Sequence, residues 1–337
     1  MTPAPETGNA TAAAQAPLLR VEGLKQYFPL KRGLFSSHHC VKAIDDISFE
    51  IPKGSTFGVV GESGSGKTTL GRTLLRLIEP TAGSIRYQDT DICRLDRKEL
   101  LVFRRRMQMV SQDPYNSLHP RKLVKSIIGE GLKIHFGMPS DEIQVRIKEI
   151  LEKVGLKEEH MYRYPHEFSG GQRQRISVAR SLVLKPEFLV LDEPTSALDV
   201  SVQAVILKMI QDLKRECDLT YLFITHSLSV IDYIADYVAV MYLGKIMEIG
   251  RKEDIFAAPA FPYTRLLLNS VPQPDPTLRR AREIPQGEIP SPVNPPPGCR
   301  FHTRCPYAKD VCRTQEPPMV EIHANHFAKC HFPLLNA

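Results

Sequence analysis

No apolar run in this chain reaches the roughly 18 residues needed to cross a bilayer as a helix, so a membrane-spanning segment is not expected. The first 17 residues have neither a basic cluster nor an apolar block. They are mostly Ala, Thr and Pro and are expected to form a disordered tail, not a signal peptide. A continuous basic stripe is also missing. The formal net charge is only +6, and apart from Arg104-Arg105-Arg106 and the stretch 279–282 the basic residues are scattered. That is too modest a field to track a nucleic-acid backbone. With no secretory signal, the seven cysteines are expected in a reducing compartment without disulfides. What remains is an ordinary soluble composition of 337 residues, 42% hydrophobic and 24% charged. It is long enough for one large α/β domain plus an appendix, or for two domains.

The most informative stretch runs from Phe168 to Asp199. Ser169 stands where a helix N-cap belongs, with Gly170 and Gly171 behind it. Ile176, Val178, Ala179, Leu182 and Val183 then recur at helical spacing until Pro186. Phe188 to Leu191 is an unbroken apolar run ending in Asp192 and Glu193. Such a run suits a parallel strand covered on both faces, with carboxylates at its carboxyl end, where α/β folds hold ligands. A glycine-rich helix N-terminus offers free N–H groups and a positive dipole end to an anion.

Upstream, Thr56 to Val60 reads as a buried strand, followed at once by Gly61-Glu62-Ser63-Gly64-Ser65-Gly66-Lys67-Thr68-Thr69. This is GxxxxGK(S/T) directly after a strand and opening a helix that is expected to run to Ile78. Its glycines let backbone N–H groups wrap β- and γ-phosphates. Lys67 adds charge to those phosphates, and the Thr68 hydroxyl is a Mg²⁺ ligand. The motif in this context identifies a P-loop NTPase.

Around it, Leu18 to Phe28 and Val41 to Ile51 read as strands joined by a basic loop. Met107 to Ser111 is a short strand leading to Gln112. Residues 121–167 are mostly helical, with Ser140 as a cap-like residue before the helix from Asp141. Ser201 to Lys214 is a helix, and Thr220 to Ile224 a buried strand that delivers His226. Val238 to Tyr242 and Lys245 to Ile249 form a hairpin.

In this order the motifs resemble the nucleotide-binding subunit of an ABC transporter. Gly61 to Thr68 match the Walker A loop, Gln112 the Q-loop glutamine, and Phe168 to Gln172 the signature. Phe188 to Asp192 match Walker B with Glu193 next, Ser196 to Asp199 the D-loop, and His226 the switch histidine. The resemblance implies an α/β ABC ATPase core over 18–260. Within it lie an antiparallel β subdomain and a helical signature subdomain at about 113–175. It also implies roles. Asp192 holds Mg²⁺ through water, Glu193 polarises the attacking water, His226 bonds the γ-phosphate, and Gln112 senses Mg²⁺ and the membrane partner. Ser169, Gly170, Gly171 and Gln172 meet ATP bound on a second ATPase subunit. An aromatic stacks on adenine: Phe28 aligns best, with Tyr27 next. Three departures stand out: Phe168 for the usual leucine, Ser111 for a frequent phenylalanine, and Ser227 for a frequent aspartate. None removes a catalytic group.

From Phe261 the composition shifts to a short helix, a proline-rich linker over 272–297 and four cysteines, Cys299, Cys305, Cys312 and Cys330. The run Pro290 to Pro306 resembles the C-terminal extension (here 261–337) of dipeptide and oligopeptide importer ATPases. Arg163 to Glu167 and Gln112 to Tyr115 resemble the same group. The implied protein is an F-type subunit at the cytoplasmic face of the inner membrane. It pairs with a homologous D-type ATPase, serves two transmembrane permease subunits and, indirectly, a peptide-binding protein. Its ATPase drives peptide import. Four thiolates can hold a 4Fe–4S cluster, or zinc with His302 or His331; the resemblance favours the cluster. With intervals of five, six and seventeen residues, close Cys-x₂-Cys knuckles are absent. The site is expected to staple a tail with little core of its own. The alternative is a soluble ABC ATPase acting in nucleic-acid repair or translation. Such proteins typically carry two cassettes, a long coiled coil or zinc modules within the cassette, none of which is seen. A regulatory module without turnover is disfavoured, because Lys67, Asp192, Glu193 and His226 are all present.

Overall fold

The computed structural model describes residues 16–30, 40–270 and 287–334. Most of the expected N-terminal tail, the loop 31–39 and much of the proline-rich linker lie outside them. Twelve strands form among the described residues: β1 Pro17–Pro29, β2 Cys40–Pro52, β3 Thr56–Val60, β4 Ala82–Tyr87, β5 Thr90–Asp91, β6 Met107–Val110, β7 Phe188–Asp192, β8 Thr220–Thr225, β9 Tyr237–Tyr242, β10 Lys245–Arg251, β11 Val320–His323 and β12 His326–Ala328. The helices are α1 Lys67–Leu74, α2 Arg97–Arg106, α3 Pro114–Ser117, α4 Val124–Phe136, α5 Ser140–Lys153, α6 Gly170–Leu182, α7 Val200–Cys217, α8 Leu228–Ile234, α9 Lys252–Ala257, α10 Pro262–Asn269 and α11 Asp310–Thr314.

β2-β1-β4-β5 make an antiparallel sheet, and β11-β12-β10-β9-β3-β8-β7-β6 a larger mixed one. Parallel pairing joins β6, β7, β8, β3 and β9. The unbroken apolar runs of β3, β7 and β8 are buried throughout, as strands covered on both faces must be. Their period of two sorts them between two cores. Phe57, Val59, Phe188, Val190, Leu222 and Ile224 face the antiparallel sheet and α1. Val60, Leu189, Leu191, Tyr221 and Phe223 face α4, α5 and α6 of the helical region. Phe49 of the small sheet stacks on Phe57 at 5.0 Å.

Two of the boundaries that differ from the sequence reading belong to α1 and α5. The helix after the P-loop stops at Leu74 and not at Ile78, because Arg76 turns left-handed (φ 49°). Ser140 lies inside α5; the cap position is Pro139 and carries no side-chain bond.

The extension does not rely on a tail-only core. β12 pairs antiparallel with β10, Glu248 opposite Ala328 and Ile249 opposite Phe327, and so lengthens the main sheet. Phe301 is fully buried among Tyr242, Phe261 and Tyr263, with ring centroids 5.2 to 5.8 Å away. The buried Glu248 carboxylate meets His326 Nε2 at 2.8 Å and accepts from the Ala260 and Phe261 N–H groups.

Candidate functional site: a phosphate loop and a carboxylate held from two sides

The loop from β3 into α1 fits only glycine at its closest approach. Gly66 has φ 105°, and a Cβ there would sit 2.1 Å from the Ala43 carbonyl oxygen of β2. At Gly64 (φ 78°) nothing lies within 4 Å of the Cβ position, so this part of the loop is open. The loop borders a cavity of about 1000 Å³. Ser63, Gly64, Gly66, Lys67, Thr68 and Thr69 line it together with Phe28, Gln112, Glu193 and His226. Gly61 and Ser65 are buried beneath. Lys67 Nζ is folded back on the carbonyls of Gly61 (2.7 Å) and Glu62 (2.9 Å).

Burial lowers the Lys67 pKa against the pull of Glu193, Asp192 and Glu62. Burial likewise raises Asp192, opposed by the Thr68 hydroxyl, which donates to it at 3.0 Å. A buried cation and a buried carboxylate, each disfavoured by desolvation, suit a phosphate and a divalent ion as their respective counter-charges.

Glu193 sits one residue past β7 with φ 46°, left-handed and costly for a residue with a Cβ. The turn keeps its N–H on the Ile224 carbonyl at 2.8 Å while the side chain reaches the cavity. There Gln112 Nε2 donates to Oε2 at 2.9 Å, and His226 Nδ1 lies 3.2 Å from Oε1. Glu193 is mostly covered and His226 open to solvent, 13% against 57% side-chain exposure. A carboxylate so oriented at a phosphate loop is able to polarise a water molecule.

Ser169, Gly170, Gly171 and Gln172 do not line this cavity. They open α6 through a reciprocal cap: Gln172 N–H donates to Ser169 Oγ at 3.3 Å, and Ser169 N–H to Gln172 Oε1 at 3.1 Å. Of the two aromatic candidates, Phe28 lines the cavity, whereas the Tyr27 hydroxyl turns to Asp45.

Sequence reasoning missed the contacts made by the extension. Arg304 forms a two-pronged bond to Glu62 of the phosphate loop at 2.7 and 3.0 Å. Arg300 bonds Asp45 and the Leu243 carbonyl. Tyr263 Oη accepts from Glu62 N–H at 2.9 Å. Pro292 joins the cavity wall. The only cue was two arginines between Cys299 and Cys305.

All four extension cysteines line one small cavity of about 20 Å³ together with His302 and His331. Burial pushes the thiols of Cys299, Cys305 and Cys330 up to about 11, so they are neutral at pH 7. Among the described residues no three His, Cys, Asp or Glu side chains are gathered tightly enough to hold a metal ion. The four sulfurs on one cavity are a donor set of the kind that binds a metal or cluster as thiolates.

A family model described as "ABC transporter" matches residues 44–196. A second, "Oligopeptide/dipeptide transporter, C-terminal region", matches 247–312. The chain is 49% identical to the oligopeptide transport ATP-binding protein AppF of Bacillus subtilis over 325 residues, 95% of this chain and 99% of that one. Among solved structures, cbiO1 of Clostridium perfringens, part of the ABC transporter complex cbiONQ, superposes with TM-score 0.62 at 28% identity, covering 72% of this chain and 92% of that one. The ATP-binding cassette MJ0796, solved as a dimer in a post-hydrolysis state with ADP and Pi, gives TM-score 0.62 at 25% identity over 69% and 98%.

Proposed function

The chain belongs to the ABC transporter ATP-binding proteins of peptide import, and from that premise we propose how its residues divide the work. The protein hydrolyses ATP to ADP and phosphate and couples this to peptide import. The N–H groups of 61–69 and Lys67 hold the β- and γ-phosphates. Thr68 and Asp192, with Gln112 nearby, hold the Mg²⁺ that accompanies ATP and draws charge from the γ-phosphate. Glu193 polarises the attacking water, while His226 bonds the γ-phosphate and, with Gln112, orients the Glu193 carboxylate. The observation that carries this reading is that carboxylate, gripped from both sides at the mouth of a phosphate-loop cavity.

Ser169, Gly170, Gly171 and Gln172 act on the nucleotide of a second ATPase subunit. The exposure of Ser169 at the helix end, and the absence of all four from the lining of this chain's own cavity, support that role. The second subunit is a homologous D-type chain, this one being the F-type. Both bind two transmembrane permease subunits at the cytoplasmic face of the inner membrane, fed by a peptide-binding protein. No helix of the described residues is long and apolar enough to cross a membrane, as a peripheral subunit requires.

Cys299, Cys305, Cys312 and Cys330 hold a 4Fe–4S cluster, with zinc as the alternative. Their shared cavity supports this. Either group would hold the cysteines as thiolates and fasten the extension. Anaerobic purification followed by iron, sulfide and zinc analysis tests it; absence of all three overturns the assignment and leaves the ATPase reading intact.

The transport reading is tested in vesicles containing the full complex. ATP-dependent uptake of a labelled peptide is expected with the natural chain and not with Glu193→Gln. Equal uptake by both would overturn it. The model match over 247–312 favours this reading over a nucleic-acid or ribosome ATPase.

A further inference from the structure

The nucleotide cavity has two chemically different regions. One is the phosphate loop with Gln112, Glu193 and His226; the other is apolar and consists of Phe28, Val41, Ala43 and Pro292. The apolar region can be ordered from its backbone. The Ala43 carbonyl touches Gly66 at the phosphate loop. Val41, two residues away on the same face of β2, lies roughly 7 Å farther out. Phe28 is its direct partner across the β1–β2 pair. Pro292 comes from a different part of the chain altogether. It is placed by its own carbonyl, which accepts from Lys42 N–H at 3.3 Å, the residue between Val41 and Ala43. A second clip, Arg300 to Asp45, fixes the same loop to the same strand three residues on. Asp45 is itself held by Lys245 at 3.6 Å, so this clip is anchored in the main sheet. Pro292 is half-buried and offers a rigid apolar ring with no donor, a surface suited to a flat base and not to a phosphate or a ribose.

We propose that the extension completes the nucleobase pocket, with Pro292 forming, beside Phe28 and Val41, the apolar wall that receives the base of the bound nucleotide. This rests on the ATP-binding reading above and makes the segment before the cysteines part of the binding site. Base affinity then depends on the extension remaining clipped to β2.

The test compares two ligands that differ in having a base: MgATP and Mg-tripolyphosphate, each titrated calorimetrically into the full-length chain. Pro292→Ala is expected to weaken MgATP about fivefold and to leave tripolyphosphate unchanged. Pro292→Val, which keeps the apolar bulk, is expected to recover most of the loss. An unchanged MgATP affinity in Pro292→Ala would overturn the proposal. So would an equal loss for both ligands, which would mean that the loop merely supports the phosphate loop. Failure of the natural chain itself to bind MgATP would instead overturn the underlying ATPase reading.

Discussion

Glu193 combines a strained backbone with two side-chain restraints, and both features serve the same carboxylate. The left-handed turn lets the strand tip end its ladder on Ile224 and still project a side chain towards Gln112 and His226. Glu193→Gln keeps the size and removes the proposed base. Turnover is expected to fall about 10²- to 10⁴-fold while MgATP still binds, measurable by phosphate release alongside calorimetry. Asp45 is the second residue whose charge matters. Burial pushes its pKa up, but the Tyr27 hydroxyl, Lys245 and Arg300 outweigh burial and hold it below the usual value. A depressed carboxylate stabilises the fold above its unfolded pKa of about 4, and that contribution is lost as pH falls through the lower folded value. Asp45→Asn leaves Arg300 buried without its carboxylate, at a cost of about 3 kcal/mol at pH 7. Urea melts from pH 7 to below pH 4 should show the gap between the two proteins closing with acid. A gap that widens would contradict the assignment.

At the level of elements, the N-terminus of α6 combines an observed cap with a proposed role at the partner's nucleotide. Its reciprocal Ser169–Gln172 cap satisfies N–H groups that the first turn cannot. Ser169→Ala is therefore expected to cost about 1 kcal/mol in a urea melt of the isolated chain and to leave that chain's MgATP affinity alone. In the assembled transporter the same substitution should depress ATPase activity, as the proposed action on the partner's nucleotide requires. Equal effects in both settings would argue against action across subunits. The cap was readable because Ser-Gly-Gly-Gln carries its own spacing. The end of α1 was not, because Arg76 adopts its left-handed turn without a glycine to announce it.

Across the whole molecule, the extension is bound to the nucleotide half by charge, by aromatic packing and by sheet extension at once. Arg304 is almost wholly buried and pairs with Glu62 in the phosphate loop. Arg304→Met keeps the stem and removes the fork, stranding Glu62. The expected loss is about 3 kcal/mol, seen as a lower denaturation midpoint, together with weaker binding of both MgATP and Mg-tripolyphosphate. That double loss distinguishes Arg304 from Pro292, whose loss is confined to the base. A variant that melts earlier but binds both ligands normally would show that the pair only stabilises.

Local chemistry let the sequence by itself determine the strand–loop–helix around Lys67, the Asp192–Glu193 strand tip, the helix cap at Ser169 and the four grouped cysteines. Each depends on neighbours within a few residues, so spacing and residue type suffice. Only the tertiary structure decided that Gln112 and His226 grip opposite oxygens of Glu193, that Phe28 and not Tyr27 lines the cavity, and that Arg304, Arg300 and Pro292 reach the nucleotide half. Those contacts join residues separated by as many as 255 positions. They arise because β2 runs beside the phosphate loop and β12 adds to β10, pairings set by how the two cores close and not by any local pattern.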